Sequence, residues 1–195
     1  MARYGIAFEK TMKHEGFYSM DGIDRGGETY RGISRRFHPL WEGWKIIAEA
    51  QRDKRNFPSN VVDNEELSAM VRNFYYNFYW NRFQGDEIVH QNIAEELFDT
   101  SVNMGVHRAV GFLQRAINIL AMRRGYTTRD AVSEDGVLGP ETLTALNELP
   151  PKSVPVVYKM MNIFQANHYL DYINRDNNQA RFLMGWLNRV EVKKV

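Results

Sequence analysis

The sequence has no cysteine. That excludes a disulfide scaffold, a Cys-ligated zinc site and a thiol nucleophile. It leaves the compartment open, because a chain that buries a large core needs no disulfide outside the cell. No apolar run is long enough to cross a bilayer, so no membrane insertion is expected. Charge of one sign is missing too: 25 Lys and Arg stand against 24 Asp and Glu, for a net charge of +1. Without a global field, nothing directs the chain to nucleic acid. A metal site is equally unprovided for. His14-Glu15 would need a second histidine at position 18 to make the zinc helix motif, and Tyr18 stands there. Histidines 38, 90, 107 and 168 are scattered, and Asp21, Ile23 and Arg25 do not follow the alternation of a calcium loop.

What is present is the balance of an ordinary globular protein, 44% hydrophobic and 25% charged. Aromatics reach 13%, which suits either a large core or a sugar-binding cleft. Residues 3–15 form an amphipathic helix pattern with Ile6, Phe8 and Met12 on one face, stopped by Gly16. The texture then changes. Glycines at 16, 22, 26, 27 and 32, mixed with acids, Tyr18, Thr29 and Tyr30, predict a loop and a short β-hairpin. Helical periodicity governs the remainder, over 40–52, 64–80, 93–103, 106–123 and 139–149. The cleanest stripe is Val110, Leu113, Ile117 and Leu120. Pro140 fits the first turn of its helix, where a missing N–H costs nothing. Pro150 to Pro155 reads as a linker, followed by a long helix to about Arg175 and a short one over 182–187. The expected fold is mostly α, with one small β element near the N-terminus.

The glycine-rich insert is where chemistry is expected, since loops on a rigid scaffold tend to carry it. Glu15 closes a helix and is flanked by Phe17 and Tyr18. A carboxyl against aromatic surface is poorly solvated as an anion, so its pKa should rise toward that of a general acid. Asp24 follows nine positions later on the hairpin. A chain folding back would bring it across a cleft from Glu15, which is the pairing that glycoside hydrolysis requires. Asp21 and Glu28 are rivals for the second carboxylate. Thr29 is placed to hold a water.

The runs Glu15-Gly16-Phe17-Tyr18-Ser19 and Asp24-Arg25-Gly26-Gly27-Glu28-Thr29-Tyr30-Arg31-Gly32-Ile33 resemble the N-terminal motif of glycoside hydrolase family 108, the N-acetylmuramidases. Phe17 stands where that family carries a second glycine. The spacing is also similar to phage-type lysozymes, with Thr29 one position early. The resemblance implies a lysozyme-like fold and cleavage of the bond from N-acetylmuramic acid to N-acetylglucosamine in peptidoglycan glycan strands. It implies Glu15 as acid, Asp24 as base, Thr29 as water positioner, inversion at the anomeric carbon and no cofactor. Phe98 to Gly105 resembles a family element in which Asn103 binds an acetamido group or closes the cleft. Tyr18 and Tyr30, beside the acid, are read as stacking on sugar rings, with packing on the hairpin as the other reading. Glu134 to Thr142 is similar to the loop of peptidoglycan-binding helical modules, with Asp135, Gly136 and Gly139 at its turning points.

Plainer readings stand beside these. Glu15 also fits a helix end paired with Lys13, Arg31 or Arg35. Asp24 also fits a turn residue, Asn103 a helix cap, and Asp135 to Gly139 a loop that simply starts a helix. Phe74 to Trp80 reads as core. The expected organisation is a catalytic region over 1–90 and a helical peptidoglycan-binding-like region over 91–195, packed as one globule. The alternatives for activity are a lytic transglycosylase using Glu15 alone and a non-catalytic peptidoglycan-binding or secretion accessory protein. Residues 1–14 mix Arg3, Glu9, Lys10 and Lys13 with apolar side chains and do not look like a signal peptide. The expectation is a protein made in the cytoplasm of a bacterium or phage-infected cell and delivered to the wall by a holin, a secretion system or lysis. Phage endolysin, prophage remnant and secretion-linked muramidase remain equal readings.

Overall fold

A computed structural model describes residues 1–13, 17–20, 27–123, 125 and 130–190. Among them are eight α-helices and one three-stranded antiparallel sheet, so the mostly α expectation holds. The helices are α1 (Tyr4–Met12), α2 (Gly43–Ala50), α3 (Glu65–Tyr75), α4 (Gln91–Met104), α5 (Val106–Ala121), α6 (Pro140–Asn147), α7 (Val154–Arg175) and α8 (Leu183–Leu187). The strands are β1 (Tyr18–Met20), β2 (Glu28–Tyr30) and β3 (Ile33–Ser34), in that spatial order. Among the described residues no helix is long and apolar enough to cross a membrane. The chain divides into two compact units: Glu9–Phe78, and Met1–Phe8 with the chain from Tyr79 onward.

The smaller unit holds the sheet, α2 and α3. Asn64 caps α3, its side-chain oxygen accepting from the Leu67 N–H at 2.8 Å. Glu65 and Glu66 place negative charge in the first turn, where the helix dipole favours it. Leu67, Val71, Phe74 and Tyr75 bury one face of this helix, and Trp44 and Ile47 do the same for α2. The helix expected to run unbroken to Trp80 instead passes into a π-helical segment, Tyr76–Trp80. The wider turn shifts the faces. Phe78, expected in the core, is 52% exposed, while Trp80 is fully buried.

In the larger unit Trp80 packs against Tyr4, Phe83 and Phe98. Its indole N–H donates to the Asp86 carboxylate at 2.9 Å. The α5 stripe of Val110, Leu113, Ile117 and Leu120 is buried throughout. Each such Leu or Ile contributes about 1.5–3 kcal/mol by leaving water. The face of α1 differs from expectation: Ala7, Phe8 and Thr11 are buried, while Ile6 is exposed. The expected linker ends earlier than drawn, because α7 starts at Val154 with Pro155 inside its first turn. At the far end of this unit, Arg189 and Asp99 form an ion pair at 3.0 Å with side chains only 8% and 14% exposed.

Candidate active site

The sheet is built around a tight turn. Tyr30 pairs with Ile33, and Arg31 and Gly32 between them have φ of 44° and 79°. Two left-handed residues make the turn whose twist matches antiparallel strands. Arg31 is an uncommon residue there, and its surroundings hold it. Its N–H donates to the Phe17 carbonyl at 2.6 Å and its carbonyl accepts from the Tyr75 hydroxyl at 2.7 Å. Its guanidinium lies 4.6 Å from the Phe17 ring centroid.

The register decides what each face presents. Tyr18 pairs with Tyr30, Ser19 with Thr29 and Met20 with Glu28, while Thr29 pairs on its other side with Ser34. Side chains alternate along a strand, and directly paired residues share a face. Ser19, Thr29 and Ser34 therefore form a row of three hydroxyl residues across one face. Tyr18, Met20, Glu28, Tyr30 and Ile33 belong to the other.

That second face is structural. Glu28 accepts from Arg35 at 2.7 Å on one oxygen, and from Gln51 at 2.8 Å and the Tyr18 hydroxyl at 3.1 Å on the other. Both oxygens are engaged, so this rival for the second carboxylate is occupied by its own network. Tyr18 accepts from Gln51 at 3.0 Å and meets Phe57 edge-on at 4.7 Å. Burial, then the Glu28 charge, raises its pKa, so it remains a neutral donor. Tyr30 corrects the sequence reading. It is 0% exposed, stacks near Trp41 and donates to the Val61 carbonyl at 2.7 Å. Its ring anchors the sheet and is closed to a sugar. Glu15 and Asp24, with Asp21, lie outside the described residues.

Beside the sheet's own network, the smaller unit has an open apolar groove of about 560 Å³ lined by Phe37, Leu40, Trp41, Asn73, Phe74 and Phe78 among others. His38 also lines it, edge-on to Phe74 and Phe78 at 4.7 and 5.1 Å, and burial lowers its pKa.

The remaining predicted residues lie in the larger unit. Asn103 sits in the last turn of α4 and accepts from the Tyr169 hydroxyl at 3.0 Å. The N-cap position of α5 is Gly105, so Asn103 is not its cap. The Asp135 to Thr142 loop closes on one buried side chain, Gln114. Its amide donates to Asp135 Oδ1 at 2.8 Å, the Val137 carbonyl at 3.0 Å and Thr142 Oγ1 at 3.2 Å, and accepts from the Gly136 N–H at 2.8 Å. The Gln114 contact, then the Val137 N–H, holds the Asp135 carboxyl below the usual carboxylate range. Gly139 takes the N-cap position before Pro140.

Sequence reasoning missed Gln51, Arg35 and Gln114. Arg35 was within reach as the opposite charge seven positions past Glu28 over a hairpin. Gln51 and Gln114 carry no sequence signal, since each acts through partners far along the chain.

The family model described as Glycosyl hydrolase 108 matches residues 8–105, about half of the chain. A second model, described as Predicted Peptidoglycan domain, matches residues 108–191. None of the curated proteins matches. Among solved structures, the one titled "Structure of Brucella abortus SagA" is 23% identical with a TM-score of 0.58, covering 96% of this chain and 88% of that one. That likeness concerns the fold. The family match, which spans the whole motif from Glu15 to Ile33, makes the chain a member of glycosyl hydrolase family 108, a glycoside hydrolase of peptidoglycan.

Proposed function

We propose that the chain hydrolyses the β-1,4 bond from N-acetylmuramic acid to N-acetylglucosamine, with Glu15 as general acid and with Asp24 and Thr29 guiding the attacking water. The observation that carries this reading is the hydroxyl row of Ser19, Thr29 and Ser34 on the sheet of the family-matched segment. A water must be held on the far side of the sugar from the acid, and an ordered hydroxyl on a central strand can hold one. Glu28 supports Asp24 indirectly. Its oxygens are already engaged by Arg35, Gln51 and Tyr18, which leaves Asp24 or Asp21 to act as base. Phe17, two positions from Glu15 in the sequence, is 49% exposed and so is available to a sugar ring.

The test is fragment release from purified sacculi by the wild type and by Glu15→Gln, read by mass spectrometry. The wild type should release fragments with reducing N-acetylmuramic ends. Loss of a general acid should cut the rate about 100-fold or more. Anhydro-sugar ends would replace hydrolysis with a transglycosylase reaction that needs no Asp24. A folded wild type that binds sacculi and releases nothing would make the chain a binding protein.

A further inference from the structure

The larger unit contains a cavity of about 440 Å³ for which the hydrolytic reading has no use. Asn103 of α4, Arg108 of α5, His168, Tyr169 and Arg175 of α7, and Trp186 of α8 line it. One wall is flat and apolar: the Tyr169 and Trp186 rings stack with centroids 5.2 Å apart and planes 13° from parallel. The charged part of the lining consists of donors, the Arg108 and Arg175 guanidinium groups. Tyr169 donates to Asn103 Oδ1, and among the described residues the Asn103 amide N–H groups have no acceptor. Arg108 gives one N–H to the Met104 carbonyl at 3.0 Å and keeps the others. Among the described residues no carboxylate lines the cavity, and neither Arg108 nor Arg175 has an ion-pair partner. Asp171 acts on His168 from outside the lining, against the two arginines. Burial first, then the two guanidinium charges, holds His168 below the ordinary imidazole value.

Two guanidinium groups and an amide donor with no acceptor among them call for a ligand that is all acceptor and negatively charged. The planar guanidinium fork matches a carboxylate through two parallel hydrogen bonds. In peptidoglycan the N-acetylated sugars are neutral, and the lactyl carboxyl is consumed in the amide bond to the peptide stem. The free carboxylates are on the stem. We propose that this cavity binds a carboxylate of the acidic peptide stem, with Arg108 and Arg175 on the carboxylate, the Asn103 amide on a neighbouring carbonyl and the Tyr169–Trp186 wall against the stem's aliphatic carbons. The inference rests on peptidoglycan being the substrate. It also separates the cavity from the Asp135 loop: the polar groups of that loop close on Gln114, whereas the two arginines of the cavity have no ion-pair partner among the described residues.

The experiment is calorimetric titration of the full chain with a soluble disaccharide-peptide fragment. One form keeps its free stem carboxylates and the other has them amidated. This fragment has no bond from N-acetylmuramic acid to a following sugar, so the proposed hydrolysis does not consume it. The wild type should bind the free form at least about tenfold more tightly, the worth of a charge-assisted hydrogen bond. Arg108→Gln with Arg175→Gln should abolish that preference. Asn103→Asp, which adds a carboxylate to the lining, should weaken the free form selectively. Equal affinity of the wild type for both forms, no binding of either, or a preference that survives in the double variant would each overturn the proposal. Sacculus digestion on the same preparations separates the two readings. Fragment release without a carboxylate preference removes the cavity alone, and a preference without release removes the hydrolysis alone.

Discussion

Gly136 and Gly139 stand three positions apart in one loop, yet the backbone demands glycine at only one of them. Gly136 has φ of 68°, and a Cβ there would lie 2.6 Å from the His107 carbonyl oxygen. An L side chain would be strained by the dihedral and would also push on backbone that cannot swing aside. Gly139 has φ of −82° and nothing within 4 Å of a built Cβ. Gly136→Ala should destabilise the larger unit by about 2 kcal/mol or more. Gly139→Ala, at an N-cap that favours glycine over alanine, should cost about 1 kcal/mol or less. Thermal or urea midpoints of the two variants check this, and equal effects would mean that the loop is held by something other than its contact with His107. Both glycines belong to the same sequence motif, and the motif alone does not tell them apart. Only the approach of His107, 29 residues earlier in the chain, does so. Tyr30 makes the same point. Its neighbours in sequence suggested a sugar platform, while its burial is decided by Trp41 and Val61, which local reading cannot bring to it.

Elements with a continuous apolar period were legible, because burial acts on each turn in the same way. The α5 stripe is the plainest case, and the cap and acidic first turn of α3 follow their sequence signals. The short β region was legible as a hairpin but not as three strands. β3 is two residues long, and its pairing depends on the turn at Arg31, a residue that rarely adopts positive φ. The π-helical segment was hidden as well, since an aromatic run from Phe74 to Trp80 satisfies a regular helix equally on paper. Another element is tied down by a nearly buried polar contact. The ion pair between Arg189 and Asp99 joins the segment just after α8 to α4, with both side chains nearly buried. Arg189→Ala would leave the Asp99 carboxylate without its charge partner in a poorly solvated place, at a cost of about 3 kcal/mol. Because Trp186 lies three residues away and stacks on Tyr169, the variant should also shift tryptophan emission toward the red. A buried pair is little screened, so the wild-type midpoint should change little between low and high salt. A variant with unchanged midpoint and emission would show that the contact contributes nothing to holding α8.

A chain of 195 residues with a net charge of +1 carries no field that would draw a polymer substrate from a distance. Recognition must come from local geometry, and so must the stereochemical course of the reaction. The proposed chemistry has water delivered by Asp24 and Thr29 to the face of the sugar opposite Glu15, with no covalent glycosyl-enzyme. A single displacement of this kind inverts the anomeric carbon, so the first reducing N-acetylmuramic end released from a β-linked strand must be the α anomer. A retaining enzyme would place its second carboxylate close enough to attack the carbon itself, at a separation of about 5–5.5 Å between carboxyl groups, where inversion needs roughly 6.5–9.5 Å to admit the water. Proton NMR during the first minutes of digestion of soluble glycan strands distinguishes the two, because mutarotation is slower than enzymatic release at high enzyme concentration. An initial α signal that decays toward the equilibrium mixture is the expected result. An initial β signal would convert the second carboxylate into a nucleophile and remove the role assigned to Thr29, because no water would then need to be held during the first step.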